Sequence, residues 1–135
     1  MNEYEAIREA IDIYLMKRFK YRCSLIYLTP DNIVTTRRNS RIDLYLRIRR
    51  KESLFPSDCL IIARISFKKE RVGNGSHFVR FLAETALKYG YKYIGIESTN
   101  DKSSSFARKL RFQSIDGSNY VATIISLIDY FQNED

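Results

Sequence analysis

Histidine, cysteine and long apolar runs are what this sequence has least of. Its 135 residues include one histidine and two cysteines. A lone histidine, His77, with no cysteine or clear carboxylate beside it offers no metal-ligand spacing, so no metal site is expected. Cys23 and Cys59 could form one disulfide at most. Each sits in a strand-like apolar run, and both are expected to be reduced and buried, which favours a cytoplasmic setting. No run of about 18 apolar residues occurs, so no membrane span and no membrane partner are expected. The opening MNEYEAIREA is acidic and amphipathic rather than basic then apolar, unlike a secretory signal. Internal repeats, low-complexity segments and linkers are also missing, and the length suits one domain over residues 1–135.

What is plentiful is positive charge. Lysine and arginine number 23 against 16 acids, giving +7, while the hydrophobic fraction of 44 % is that of an ordinary globular chain. Long-range attraction then favours anionic partners: a phosphate-bearing cofactor, nucleic acid or an acidic protein.

Residues 3–19 read as an amphipathic helix. Tyr4, Ile7, Ile11, Tyr14, Leu15 and Phe19 form its apolar side, with Glu3, Arg8, Asp12 and Lys17 facing water. Strands are expected at 24–29 and 33–36, separated by the turn Pro30-Asp31-Asn32. Residues 41–50 alternate cleanly, sending Ile42, Leu44, Leu46 and Ile48 to one face. The denser run CLIIARISF, 59–67, suits a central strand. A helix over 76–89 is stopped by Gly90. A strand at 91–98, a short helix at 103–110 and a closing strand at 120–128 complete the order, with a frayed tail. Helices mixed with hairpin-like strands give an α/β class: a mixed, mainly antiparallel central sheet flanked by helices.

The stretch KKERVGNGS, 68–76, lies between a strand and a helix. The first turn of a helix leaves backbone N–H groups unpaired and adds partial positive charge. Gly73 and Gly75 would let an anion approach that backbone, with Lys68, Lys69 and Arg71 at the rim. The pattern is neither the three-glycine dinucleotide fingerprint nor a nucleoside triphosphate loop, and a plain strand-to-helix turn explains two glycines equally well.

The wider stretch RVGNGSHFVRFLAETALKYGYKYIGIESTNDKSSSFARKLRF, 71–112, resembles the core of the GCN5-related N-acetyltransferase family. The matching pieces are the glycine loop, the helix ending Ala86 to Gly90, the strand 91–98, the turn Thr99-Asn100-Asp101, and Lys109-Leu110-Arg111-Phe112. The resemblance implies an acyl-CoA N-acyltransferase-like fold, acetyl-CoA as cofactor, and transfer of its acetyl group to an amine on a small molecule or protein. It implies cofactor contacts at Phe67, Arg71, Val72, Gly73, Asn74, Gly75, Ser76, Asn100 and Ser103. Glu97 is the candidate base and Tyr120 the candidate acid. Each also has a plain structural reading: a solvated strand residue for Glu97, core packing for Tyr120, a turn for Asn100 and a helix cap for Ser103. Three positions depart from the family pattern. Glu70 stands where glutamine or arginine is usual in the loop. Ala107 stands where many members have the tyrosine that protonates the leaving thiolate. Arg111 replaces the glycine before the final phenylalanine.

Residues 37–51 carry seven basic side chains and only Asp43 as an acid. Strand alternation puts Arg41, Tyr45, Arg47 and Arg49 on one face. Such a face can contact phosphates while the tyrosine stacks on a base, and it would equally serve an acidic protein or simple solvation. A protein that keeps the acetyltransferase fold without catalysis and acts through this face is the alternative function. An exposed strand edge would permit a homodimer.

Overall fold

A computed structural model describes residues 2–37, 41–67, 73–97 and 100–134. In chain order these form α1 (Glu3–Phe19), β1 (Ile26–Leu28), β2 (Ile33–Thr36), β3 (Ile42–Arg49) and β4 (Cys59–Phe67). Then come α2 (Asn74–Lys88), β5 (Tyr93–Ile96), α3 (Asp101–Lys109), β6 (Gln113–Ser114), β7 (Tyr120–Thr123) and α4 (Ile124–Glu134). The strands make one seven-stranded sheet in the order β1-β2-β3-β4-β5-β7-β6. Only β4 and β5 run parallel, with α2 as their crossover; every other pairing is antiparallel. The class is therefore α/β with a mixed, mainly antiparallel sheet flanked by helices.

Alternation in β3 is what gives the sheet two unlike faces. Ile42, Leu44, Leu46 and Ile48 are buried, and their cross-strand neighbours Leu60 and Ile62 join the same cluster. All four helices feed that cluster: Ile7, Ile11 and Leu15 from α1, Phe78 and Leu82 from α2, Ala107 from α3, and Leu127 and Phe131 from α4. Full burial of an aliphatic side chain of this kind contributes about 2 kcal/mol. Among the described residues the opposite face carries a small buried cluster of Phe55, Cys59 and Ile61, with Tyr93, Ile115 and Val121 against it. No described helix contributes to it. Phe55 lies so close over β5 that a Cβ on Gly95 would stand 2.6 Å from its ring. Glycine at 95 is thus a packing requirement.

Four expectations need correcting. The closing strand ends at Thr123, and Ile124 onward is helix through Glu134, so the tail is not frayed over these residues. Asp12 does not face water; it is buried, and its carboxylate accepts from Leu25 N–H at 2.8 Å, from Ser24 Oγ and from Arg8 at 3.0 Å. That clip fixes the path from α1 into β1. Cys23 is exposed, whereas Cys59 is buried and its thiol is pushed up to about 12 by desolvation. Arg50, part of the basic stretch, is a structural hub. It donates to Asp58 and to the carbonyls of Tyr89 and Gly90, pairs with Glu3, and stacks 3.8 Å from the Tyr91 ring centre. No described helix is long and apolar enough to cross a membrane.

Candidate functional site

β4 and β5 part company. Their parallel register runs from Cys59↔Tyr93 to Ile62↔Ile96, and Glu97 N–H still donates to Ile62 C=O at 3.0 Å. Beyond this point β4 continues to Phe67 with partners only on its β3 side among the described residues. The separation coincides with a bulge: Tyr45 pairs Arg64 and Leu46 pairs Ile62, leaving Ala63 as the extra residue. From Ala63 to Phe67, β4 therefore has no strand partner on its β5 side among the described residues.

The next described element along the chain is α2. Gly73 precedes the helix at φ 96, a left-handed conformation that suits glycine, and its carbonyl accepts from His77 N–H at 2.9 Å. The turn has no side-chain cap and no acidic residue. Among the described residues nothing accepts from the Gly75 or Ser76 N–H. Gly73, Ser76, His77 and Arg80 line an open cavity of about 260 Å³, together with Lys109 of α3 and Tyr130, Phe131 and Glu134 of α4. Helix-terminal N–H groups, Arg80 and Lys109 favour an anion there, against the Glu134 carboxylate on the same wall and the pairing of Arg80 with Glu84 at 3.6 Å. Arg80, Lys109 and Tyr130 were not readable as site residues. Arg80 follows Ser76 by one helical turn, which is a usable signal, but Lys109 and Tyr130 arrive only through tertiary packing.

The residues named from sequence divide. Gly73 and Ser76 lie at the cavity. Asn74 does not face it: its side chain is buried and its Oδ1 accepts from Arg18 Nε and Nη2 at 3.0 and 2.8 Å. Gly75 is spoken for by packing, because a Cβ there would meet the Phe106 ring at 3.2 Å. The Phe67 ring stacks on Phe19 and meets Phe78 edge-on, so only its main chain could serve a ligand. Arg71 and Val72 lie outside the described residues, as does Glu70. Asn100 and Ser103 form a reciprocal capping box at the start of α3, with Ser103 N–H donating to Asn100 Oδ1 at 2.9 Å.

The two chemical candidates sit on opposite faces at the point where the strands part. Tyr120 pairs with Ile96 across β7 and β5 and is buried on the helix side. Arg108 donates to its hydroxyl oxygen at 3.2 Å, which leaves the phenolic proton available to another acceptor. Glu97 is held at 3.2 Å by Arg47 of β3. Ala107 is fully buried in the main core, so this chain has no room for a tyrosine there.

The basic quartet also divides. Arg47 and Tyr45 share the open face, 5.1 Å apart from guanidinium to ring centre, and Arg49 is exposed beside them. Arg41 instead lies over Tyr21, 6.0 Å from its ring.

No protein-family profile matches this chain, and no curated protein does. Among solved structures it is similar to a candidate N-acetyltransferase from Lactobacillus plantarum, at 12% identity and a TM-score of 0.49, covering 88% of this chain and 92% of that one. It is similar to the same degree, 12% identity and a TM-score of 0.49, to an acetyltransferase of the GNAT family from Staphylococcus aureus Mu50, covering 90% and 92%. Neither likeness is close enough to carry the properties of those proteins over to this chain.

Proposed function

We propose that the chain binds acetyl-CoA in the cleft between β4 and β5 and transfers the acetyl group to an amine. The observation that carries this reading is the parting of the parallel pair after Ile62 and Ile96, followed in the chain by a helix start without a side-chain cap. A strand edge without a partner among the described residues suits an extended chain of amides, which can pair with it as another strand would. The α2 first turn, Arg80 and Lys109 suit the phosphates. The resemblance over residues 71–112 supports the same placement.

Bound acetyl-CoA would supply an activated acyl thioester. In this reading Glu97 would take the proton that the acceptor amine loses as nitrogen bonds to the acyl carbon. As the carbon–sulfur bond breaks, Tyr120 would give the leaving sulfur a proton. Proton transfer of this kind contributes on the order of 10²–10⁴-fold. With Ala107 buried, Tyr120 is the proposed acid in place of the family's tyrosine.

Calorimetric titration with acetyl-CoA and with CoA tests the binding claim. Ser76→Glu is the better probe variant, since a side chain on Gly75 would run into Phe106. Binding that is lost in a folded Ser76→Glu protein supports the placement. Failure of the folded wild type to bind either compound rejects it. Thiol release with a panel of amines, compared in Glu97→Gln and Tyr120→Phe, then tests catalysis; binding without turnover would leave a cofactor-binding protein that does not acetylate.

A further inference from the structure

We infer that the sheet face turned away from the helices binds a single-stranded polynucleotide, with Tyr27 and Tyr45 as stacking platforms. This goes beyond the acetyl-CoA reading and does not depend on it. Register places Tyr27, Thr35, Tyr45 and Arg64 in one row across β1 to β4. Two strand spacings separate the tyrosines, roughly 10 Å. Tyr27 is 42% exposed, unusual for a large ring that could have been buried.

Each ring is held by arginine. Arg37 lies 5.5 Å from the Tyr27 centre, and Arg47 and Arg64 lie 5.1 and 5.2 Å from that of Tyr45. These contacts limit ring motion and reduce the ordering cost of stacking a base. Four arginines serve the face: Arg37, Arg47, Arg49 and Arg64. Two carboxylates oppose them, Asp43 paired to Arg64 at 2.7 Å and Glu97 paired to Arg47. Arg37 and Arg49 have no carboxylate partner among the described residues. The balance is positive, which complements phosphate.

The tyrosines decide among anionic partners. An acidic peptide would use the arginines and leave the rings idle. A duplex would offer phosphates but keep its base faces stacked inside. Only a single strand uses guanidinium groups and aromatic rings together, through phosphate contacts and base stacking.

Fluorescence anisotropy with a labelled oligodeoxythymidine provides the test, with melting curves confirming that each variant folds. Binding should weaken steeply with salt. Tyr45→Ala should reduce affinity about tenfold while Tyr45→Phe keeps it, as loss of a stacking partner predicts. Tyr27→Ala, at an exposed ring, gives the same reading should Tyr45→Ala fail to fold. Arg49→Glu should weaken binding and flatten the salt dependence. The inference is overturned if the folded protein does not bind at low salt, if neither tyrosine matters, or if a duplex or polyglutamate binds as tightly.

Discussion

α2 and α3 follow the two parallel strands β4 and β5, yet they begin in opposite ways. α3 begins self-sufficiently: Asn100 caps it, Ser103 completes the box, and Asp101 meets the positive end of the helix dipole. α2 begins with Gly73, without a capping side chain and without an acid in its first turn. Its first residue, Asn74, is of a capping type but is turned inward to Arg18. Exposed helix starts ordinarily gain stability from such caps. A start without them, anchored by a long-range contact to α1, suits an anion at its N–H groups.

If that anchor is what holds the α2 start in place, Arg18→Ala should have the largest effect. It removes both hydrogen bonds to the Asn74 side chain and should cost about 2 kcal/mol in chemical denaturation. Acetyl-CoA affinity should fall with it. An unchanged affinity would show that the anchor is merely structural.

Ser76→Glu separates the two helices more directly. It gives α2 the acid that α3 already has. Melting should then be unchanged or slightly raised, because a carboxylate near a helix start stabilises by about 0.3–1 kcal/mol. Acetyl-CoA binding, measured by calorimetry, should nevertheless weaken about tenfold, a loss of about 1.4 kcal/mol. Stability and binding moving in opposite directions is the signature of an anion site; moving together would break the comparison.

Asn100→Ala is the complementary test at α3. Removing the cap should cost about 1 kcal/mol of stability and leave acetyl-CoA affinity as it was. A fall in affinity would mean that Asn100 touches the cofactor as well as capping the helix.

Much of this was legible in the sequence, and where it was not the reasons are physical. The alternation of residues 42–48 defined the sheet's buried face because a period of two has only one reading when half of it is apolar. The run after Tyr120 misled because Val121, Ile124 and Ile125 suit strand and helix alike. The better signal was Thr123, whose Oγ1 accepts from Ser126 N–H at 3.1 Å and starts α4, followed by Ile124, Leu127 and Phe131 at helical spacing. At the candidate site the loop's glycines were visible, but their separate duties were not. Gly73 answers to a backbone angle, while Gly75 answers to Phe106, a residue 31 positions along the chain. Local pattern carries the first kind of requirement and is silent on the second.

At their other ends the same two helices exchange roles, and here the smallest effect is expected. α2 closes conventionally: Gly90 is at φ 81, Gly90 N–H donates to Leu87 C=O, and Tyr91 N–H donates to Ala86 C=O. α3 closes with the same pair of bonds, Arg111 to Arg108 and Phe112 to Ala107, but with arginine at φ 65 in the glycine position. A left-handed arginine costs about 1 kcal/mol or somewhat more. Glycine would relieve that strain, yet it would also loosen the unfolded chain and remove the guanidinium from above Tyr130, 5.6 Å away. Arg111→Gly should therefore stabilise by only about 0.5 kcal/mol, read as a small rise in Tm. A clear destabilisation would show that the contact with Tyr130, on the wall of the α2 cavity, outweighs the backbone strain it requires.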